Sequence, residues 1–558
     1  MQFAISYEDA ISRIRKNDKS WQELNVTGFA NHVIPSDADC GPLEVRDKLA
    51  VNGGFFVEDD ILDIASSTVH PLIDYSGRSS KSFQSTVHET WSRMSGSSVW
   101  LEQHSVYMTI TRVFFYDGGV KAWPRISFLR AQIHDKDWKA LDNYTMQWQG
   151  ETFMFPRIFD VPTPYEVGGG FYGPEDPRIV IERGVDDAEP IIIFNMVVDK
   201  KSSRRGMFLI RPFSNVTVEM EITGQEARNS EKNWSPFFMP ATGPTRGKRY
   251  PSKYVYFVYE YHPLNILKCH AMAGKCEYFF QQTINGPYAD KHKHKDTHGV
   301  MRGGTNLEML PYQRRAGLTT FVGIPRTHTE FHCTVARKVN GYRPEIMLMT
   351  TNGTAFWFDY FSEALDFGSV MLKDPPRNEI CDANRILISN SIARIEPRKD
   401  LMTVSFSVND ETVQVARIKG VQALADRLPQ FQPGVFKAGD AQWAVNVTTD
   451  VVICSIQTAT DYMESSAKAF YHMTKAEEDA WREEQKKKKE KELEEEKAMK
   501  EKTLPKEKEM EKEKEAIPKV GPEDGKADIK PDTKPEETAS KPMDVDEEEN
   551  EDEDELMD

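Results

Sequence analysis

Short apolar segments separated by turn residues fill the chain from about residue 100 to residue 460. The segments are rich in Val, Ile, Phe, Tyr and Thr, as in PIIIFNMVVD and KYVYFVYEY, and Gly, Pro, Asn and Asp stand between them. β-Branched and aromatic residues favour strands, whereas those four residues favour turns. A chain with this pattern folds into sheets, so we predict an all-β body.

Many of these segments form strand–turn–strand pairs, as in RIVIERGVDDAEPIIIFNMVVD followed by GMFLIRPF. The pairs recur at roughly fifty to seventy residues, whereas a β-sandwich has a turn about every 8–12 residues. The longer spacing favours the blades of a β-propeller. Residues 1–99 show no sustained pattern, and we predict an irregular N-terminal region that packs on the propeller of residues 100–460.

Residues 475–558 carry most of the net charge of −17. They hold 19 Lys and Arg against 33 Asp and Glu, while residues 1–474 hold 52 against 55. The tail starts with a helix-forming segment that has no apolar stripe and ends in an acidic run, so it cannot bury a core. We predict a charged helix and an acidic, disordered end, which serve as a docking segment or merely as a solvating extension.

The net charge of the body and the spacing of the cysteines exclude several classes of function. A nearly neutral body lacks the concentrated basic face that nucleic acid requires, so no nucleic-acid partner is expected. Six cysteines without a CxxC pair indicate neither a disulfide scaffold nor a zinc site. Cys269 and Cys276 either bridge two adjacent strands or are free buried thiols. The first twenty residues contain no apolar run typical of a signal peptide or membrane span.

The segment YEVGGGFYGPEDPRIVIERG, residues 165–184, is the densest candidate for a reactive site. Its glycines allow close approach to the backbone, and Glu175, Asp176 and Arg178 follow at the start of a predicted strand. Carboxylates bind sugar hydroxyls and a guanidinium binds phosphate. The alternative is an ordinary acidic turn that its own arginine holds in place.

Two further clusters are candidates for binding a sugar or an anionic oxygen. SEKNWSPF places Lys232 and Asn233 beside an aromatic residue, and HKDTHGVMRGGTNL places Arg302 before Gly303 and Gly304. Cationic and amide groups beside flexible turns suit both ligands. Each cluster is equally compatible with a loop that exposes a cation.

Arg204 and Arg205 are a candidate clamp for a diphosphate, with a solvated hairpin as the alternative. The His-rich segment KHKHKDTHG invites a metal interpretation, but its lysines repel a cation and no carboxylates accompany the histidines at ligand spacing. No metal is therefore expected. The sequence also lacks a P-loop and a dinucleotide fingerprint, which disfavours a Rossmann-type transferase.

These clusters, in this order, resemble the fungal β-1,2-mannosyltransferase family that builds the caps of cell-wall mannan. The matching stretches are FYGPEDPRI, SEKNWSPF, KYVYFVYEYHPLNILKC, RGGTNL, ILISNSIARIE and LMTVSFSVNDETVQVARI. The resemblance covers about residues 100–455 and leaves out the tail. It implies a Golgi membrane enzyme with an N-terminal span, although this sequence contains no span or signal.

The EDPR, KNW and RGGT elements are also similar to those of bacterial β-mannoside phosphorylases, which are five-bladed propellers that invert the anomeric configuration. This resemblance implies five blades here. It also implies that Asp176 is the catalytic acid/base, that Arg178 contacts substrate, and that Lys232 and Arg302 lie near the phosphate or the sugar.

The implied reaction transfers mannose from GDP-mannose to a mannan or mannosylated glycolipid acceptor, with inversion and without a metal or other cofactor. In this interpretation the donor diphosphate is bound by Lys232, Arg204 and Arg205. The remaining substrate-binding candidates are Glu175, Arg178, Asn233, Arg302, Gly303 and Gly304.

Two alternatives stay open. A β-mannoside phosphorylase would use inorganic phosphate as the mannosyl partner in a similar site. A non-catalytic, glycan-binding propeller would be favoured if Asp176 lay outside any pocket.

Overall fold

The computed structural model describes residues 20–30, 40–57, 60–75, 81–117, 123–166, 169–185, 188–199, 203–240, 249–283, 299–312, 317–332, 338–367, 386–410, 412–428, 441–469, 479–480, 483 and 487. Within these ranges the chain is mostly β, which confirms the all-β prediction at that level. The number of blades stays a prediction.

The strands of the described ranges alternate with short turns. In chain order they are β1 (Gln22–Ala30), β2 (Glu44–Val57), β3 (Trp91–Leu101), β4 (Val106–Tyr116), β5 (Pro124–His134), β6 (Tyr144–Trp148), β7 (Glu151–Phe155), β8 (Arg157–Ile158), β9 (Glu175–Val180), β10 (Ile191–Asp199), β11 (Arg204–Arg211), β12 (Val216–Ile222), β13 (Ser235–Phe237), β14 (Tyr254–Tyr261), β15 (Leu264–His270), β16 (Lys275–Gln281), β17 (Val300–Arg302), β18 (Glu308–Met309), β19 (Thr319–Gly323), β20 (Arg326–His332), β21 (Lys338–Pro344), β22 (Met347–Thr351), β23 (Phe356–Ser362), β24 (Leu387–Glu396), β25 (Leu401–Val408) and β26 (Thr412–Lys419).

The described residues of the body form few helices. They are α1 (Ile61–Ser67), α2 (Phe83–Thr90), α3 (Val421–Arg427) and α4 (Ala441–Ala469), with 3-10 turns at Gly41–Leu43 and Pro397–Lys399. Side chains of Asp60 and Ser82 cap the first two helices, because each accepts hydrogen bonds from backbone N–H groups of the first turn.

Consecutive strands pair into antiparallel groups. β3, β4, β5 and β8 form one sheet, β6 and β7 form a hairpin, and β17, β20 and β21 form a three-stranded sheet. An eight-stranded sheet has the order β13-β14-β15-β16-β12-β11-β10-β9. A nine-stranded sheet has the order β18-β19-β22-β23-β1-β2-β26-β25-β24.

The first strands of the chain complete the nine-stranded sheet. β1 pairs with β23 and β2 pairs with β26, so strands from both ends of the body lie side by side. The prediction of an irregular region over residues 1–99 is therefore wrong for these strands and for the start of β3. The period-two pattern of β1 is short, with Leu24 and Val26 buried between exposed Glu23 and Asn25, and β23, one of its two partners, lies hundreds of residues away.

Both faces of the middle strands are buried. In β10, Ile192 and Phe194 pack with residues of β3, β4 and β5, whereas Ile191 and Ile193 pack with residues of β14 and β15. Side chains alternate between the faces of a strand, so one strand serves two cores. This double burial explains the continuous apolar run that the sequence shows there.

The last strands of the body also pack on the first group. Phe55 from β2 and Val415 from β26 share one cluster with Trp100 from β3 and Tyr107 from β4. The last strands of the body therefore share an apolar core with the first group of strands.

Small hydroxyl side chains join the strands that meet in the middle of the body. Ser97 Oγ in β3 accepts a hydrogen bond from the backbone N–H of Ile179 in β9 at 3.0 Å, and Ser391 Oγ in β24 accepts one from the N–H of Ser98 at 2.6 Å. Short side chains let these strands approach closely while their buried N–H groups stay paired. The contacts fix the position of β9, which carries the EDPR motif.

Two disulfides fasten the fold. Cys269 and Cys276 are paired positions of β15 and β16 and form a disulfide, which decides between the two alternatives left open by the sequence. Cys40 bonds Cys454 across a separation of 414 residues and ties the turn before β2 to α4. Local sequence gives no signal for this second pair.

Most of the charged tail lies outside the described residues. The described positions 479, 480, 483 and 487 are helical and exposed, and Lys487 pairs with Glu483 at 3.2 Å. The predicted acidic end and the His-rich segment 291–298 fall on residues that are not described. None of the described helices is both long and apolar enough to cross a membrane.

Candidate active site

A bulge at the start of β9 turns Asp176 toward the middle of the body. Glu175 pairs with Asn195 and Arg178 with Ile193, so three steps along β9 oppose two along β10. One extra residue of this kind bends a strand and redirects a side chain. Asp176 adopts a left-handed conformation with φ +50°, which Asp tolerates better than most residues. Ser95 Oγ donates a hydrogen bond to its carboxylate at 3.2 Å.

Glu175 lies beside Asp176 but is paired on both oxygens. Arg112 Nη2 binds Glu175 Oε1 at 3.0 Å, and Arg205 Nη1 binds Oε2. The Glu175 side chain is almost fully buried, and an ionised carboxylate there needs such partners. The arrangement assigns Glu175 to the framework that orients two arginines around the site.

Arg178 joins the EDPR segment to the RGGT segment. Its Nε donates to the carbonyl oxygen of Gly304 at 2.6 Å, and its Nη1 donates to the carbonyl oxygen of Pro177 at 3.0 Å. Burial, with the positive charge of Arg326 as a smaller cause, lowers the pKa of Arg178 to about 10. The side chain therefore stays positively charged at neutral pH. It stands two residues after Asp176, and its charge lowers the pKa of that carboxyl group.

Arg326 in β20 is a buried residue that bonds to both the KNW segment and the RGGT segment. Its Nη1 donates to the carbonyl oxygen of Gly303 at 2.5 Å, and its Nη2 donates to Asn233 Oδ1 at 2.7 Å. Burial lowers the pKa of Arg326, while the negative charge of Asp176 acts in the opposite direction. Arg326 thus brings the KNW and RGGT segments to the same place.

Gly303 and Gly304 are required by close packing. A Cβ atom on Gly303 would lie 1.8 Å from the carbonyl oxygen of Asn233, and one on Gly304 would lie 2.1 Å from that of Ile324. Because both obstacles are backbone atoms, no other residue fits at either position. The two glycines let the strands close around the site.

The pKa of Asp176 reflects opposed influences. Burial is the largest of them and by itself raises the pKa. The positive charges of Arg178, Arg112 and Arg326 lower it, as does the hydrogen bond from Ser95, and together they prevail. The pKa of Asp176 therefore lies below its usual value, and the group is a carboxylate at neutral pH.

A cationic cluster that includes Arg302 and Lys232 borders the Asp176 carboxylate. His328 stacks on Tyr342 with ring centroids 4.5 Å apart, and its Nε2 lies 3.1 Å from Asn340 Oδ1. Burial is the main cause that lowers the pKa of His328, and the nearby positive charges of Arg302 and Lys232 add to the effect. Arg302 is half-buried and Lys232 is exposed, so both cations are accessible from solvent.

Arg204 and Arg205 do not act together. Arg205 reaches Glu175, whereas Arg204 lies 3.8 Å from Glu219 on β12. Adjacent residues of a strand point to opposite faces, so the two side chains cannot form one clamp. The structure brings Arg205 to Glu175, next to Asp176 in the chain, and directs Arg204 to the other face of β11.

This separation predicts different effects for two similar substitutions. Arg205→Ala leaves one oxygen of buried Glu175 without its cation, and we expect kcat/KM to fall at least about tenfold with a loss of stability. Arg204→Ala removes a partly exposed pair worth about 0–1 kcal/mol and should change kcat/KM less than twofold. Steady-state kinetics of the two variants test this, and equal losses would contradict it.

The pKa of Asp176 predicts the pH dependence of activity. A group that must be deprotonated limits the rate only below its pKa, so the acid limb of kcat/KM should lie at lower pH than that of an ordinary aspartate. An anionic donor neutralises the surrounding guanidinium groups and raises the pKa of Asp176, so the acid limb of kcat should lie at higher pH. Rate profiles from pH 3.5 to 8 test both statements. An acid limb of kcat/KM near pH 6 would contradict them.

Three residues of the site, Ser95, Arg112 and Arg326, are not among the candidates predicted from the sequence. Arg112 stands within the apolar strand sequence TITRVFFY, and Arg326 follows a proline at the start of β20. A charged residue inside a fully buried strand is a signal of a partner, because burial of an unpaired charge is costly. Among the described residues, no three His, Cys, Asp or Glu side chains are grouped to hold a metal ion.

Comparison with known proteins gives related sequences and weaker structural matches. β-Mannosyltransferase 1 of Komagataella phaffii (strain GS115) is 31% identical over 354 residues, covering 60% of this chain and 52% of that protein. β-Mannosyltransferase 4 of the same strain is 30% identical over 422 residues, covering 72% of this chain and 78% of that protein. The match thus spans about half the length of the first relative and over three quarters of the second.

A solved structure of a GDP-Man-dependent mannosyltransferase from Leishmania mexicana aligns with 10% identity and a TM-score of 0.35, covering 59% of this chain and 85% of that chain. A likeness this weak carries no argument about fold or function.

The family model of β-mannosyltransferases matches residues 76–207 and 211–462. These segments contain Asp176 with its three arginines, as well as Lys232 and Arg302. Because the match covers more than half of the sequence and includes the whole candidate site, the chain belongs to the β-mannosyltransferase family.

Proposed function

We propose that the protein transfers mannose from GDP-mannose to a mannan or glycolipid acceptor and forms β-1,2-linked mannosides with inversion. The observation that carries the proposal is a carboxylate, Asp176, held ionised among three buried guanidinium groups beside accessible cations. One positioned base and one anion site are the groups that an inverting transfer from a sugar diphosphate requires.

In the proposed reaction Asp176 takes the proton of the acceptor hydroxyl, directly or through a sugar hydroxyl. The acceptor oxygen forms a bond to C1 of mannose while the bond from C1 to the diphosphate oxygen breaks. The diphosphate leaves with that electron pair, and cations stabilise its charge. In this scheme Lys232 and Arg302 contact it, with Arg326 behind them, and no metal takes part.

The other predicted substrate contacts take a supporting role in the proposal. Glu175, Arg178 and Asn233 each bond to another part of the protein, and Gly303 and Gly304 allow these segments to meet. They hold the base and the cations in position, which matters because small displacements are costly in catalysis. Arg205 supports Glu175, and Arg204 has no part in the site.

We also propose that the body is a five-bladed propeller. Support comes from five antiparallel runs of strands and from the cluster that joins the last run to the first. The runs are β3-β4-β5-β8, β9-β10-β11-β12, β13-β14-β15-β16, β18-β19-β22-β23 and β24-β25-β26. A parallel pair, β12 with β16, joins the second run to the third. The first strands β3, β9 and β24 meet where Asp176 lies, as the inner strands of blades would.

The products distinguish the proposal from its alternative. Incubation with GDP-mannose and a mannan oligosaccharide should release GDP in the same amount as mannose is transferred. A phosphorylase has a similar cationic site, but it would release mannose 1-phosphate from a β-mannoside and inorganic phosphate. Formation of mannose 1-phosphate without release of GDP would contradict the transferase proposal.

We propose the secretory route, and a Golgi membrane in particular, as the place of action. Two disulfides support an oxidising compartment, because disulfides persist there and are rare in the cytosol. Fractionation of cells with an antibody against the protein tests this proposal. Recovery with cytosolic markers and free thiols would contradict it.

The charged tail should not contribute to catalysis. The family match ends at residue 462, and the tail composition cannot form a packed core. We expect a chain that ends near Met473 to keep its transfer rate on an isolated oligosaccharide within about twofold, as measured by GDP release. A tenfold loss in a folded truncated protein would show that the tail acts on the site.

A further inference from the structure

A cavity lies at the opposite ends of the strands that carry the Asp176 site. It has a volume of about 730 Å³ and is bordered by Leu101 at the end of β3, Ile181 after β9 and Ile395 near the end of β24. A strand rises about 3.3 Å per residue, so the five steps from Asp176 to Ile181 span up to about 16.5 Å. The cavity is therefore separate from the carboxylate.

Packed protein closes the path between the two places. Ser97, Ser98 and Ser391 are fully buried where the middle strands meet, and their hydroxyl groups are used in hydrogen bonds between those strands. A ligand in the cavity cannot reach Asp176 through these hydrogen-bonded strands. It would bind without taking part in the reaction.

Aromatic rings line the cavity. Trp148 is half-buried and stacks on Phe213 with centroids 5.0 Å apart, and Tyr312 is 55% exposed at the edge. Rigid rings provide apolar contact area at a small entropic cost. The C–H faces of pyranose rings are ligands of matching shape and polarity.

Three of the four Arg and Lys side chains that line the cavity lie beside a carboxylate, and the fourth, Arg398, is exposed. Arg183 pairs with Glu308 at 2.6 Å, and Lys399 and Arg394 lie 2.6 Å and 3.9 Å from Glu396. This differs from the cationic cluster beside Asp176 and disfavours a phosphate ligand. Exposed Glu102 and partly buried His104 at the rim offer hydrogen-bonding groups to hydroxyls.

We propose that this cavity is a non-catalytic subsite for a neutral mannooligosaccharide. The choice of mannose rests on the proposed function, whereas the choice of a neutral sugar rests on the aromatic lining and the paired charges. A polymeric mannan that occupies the subsite raises the local concentration of acceptor ends at the protein. A short acceptor gains nothing from it.

The test is calorimetric titration of the full chain with a linear mannotetraose in the absence of donor. We expect two classes of sites. Trp148→Ala and Tyr312→Ala should weaken one class about 5–10-fold, the loss expected for one aromatic contact. Trp21→Ala, which removes a 40% exposed tryptophan packed near Lys419, is the matched control and should leave both classes unchanged.

A second measurement compares acceptors. Tyr312→Ala should raise KM for polymeric mannan about fivefold and leave kinetics on a mannobiose acceptor unchanged. A single class of sites in the unmodified protein, or two unchanged classes in both cavity variants, overturns the subsite. Because binding is measured without donor, failure of mannosyl transfer would overturn the proposed reaction and leave the binding result intact.

Discussion

Asp176→Asn lowers turnover by about 10²–10⁴-fold, the contribution of a general base to a proton transfer. Asparagine keeps the shape of the side chain and can accept the hydrogen bond from Ser95, but it cannot take a proton from the acceptor. The loss should therefore appear in kcat, with a smaller change in the KM for donor. Initial rates of GDP release over a range of donor concentrations measure both quantities.

Two controls separate chemistry from structure. Asp135→Asn changes a carboxylate in the turn after β5, where the side chain accepts backbone hydrogen bonds, and it should leave turnover unchanged. Glu175→Gln removes the charge that pairs with Arg112 and Arg205 and should reduce stability as well as rate. Near-normal turnover in Asp176→Asn, with none in folded Glu175→Gln, would move the catalytic assignment to Glu175.

Arg326→Ala has the second large effect, on both stability and rate. The substitution leaves the Gly303 carbonyl and the Asn233 amide oxygen without their donor, and each buried acceptor without a partner costs about 1–3 kcal/mol. It also removes one of three charges that lower the pKa of Asp176. We expect kcat/KM to fall about hundredfold or more, since a misplaced base and a lost cation act together.

The pH profile distinguishes the two causes of this loss. With Arg326 removed, the acid limb of kcat/KM should move to higher pH, because the pKa of Asp176 rises. Arg326→Lys keeps the charge but cannot reproduce both hydrogen bonds, so it should retain most of the acid limb and regain only part of the stability. An unchanged acid limb and an unchanged melting temperature in Arg326→Ala would contradict the role given to this residue.

The sequence predicts those features whose causes are local. The strands of the body follow from runs such as PIIIFNMVVD, and Asp176 and Arg178 stand out because glycines and prolines surround them. Gly303 and Gly304 mark a close approach that is visible as a pair of glycines. In each case neighbouring residues alone create the signal.

Other features depend on contacts between distant parts of the chain. Arg326 binds Asn233 and Gly303, and its role becomes visible only when β20 lies beside both segments. β1 is a strand because β23 and β2 flank it, although its own alternation is short. Neighbours in sequence can also mislead, since Arg204 and Arg205 suggest a clamp but point to opposite faces of β11.

The central claim is inverting transfer of mannose with Asp176 as the base. The most direct test incubates the protein with GDP-mannose and an α-mannan oligosaccharide and determines the new linkage by nuclear magnetic resonance. Our account predicts a β-1,2-linked mannose in amounts equal to the GDP released, and a loss of about 10²–10⁴-fold in Asp176→Asn. An α-linked product, or mannose 1-phosphate in place of GDP, would contradict it.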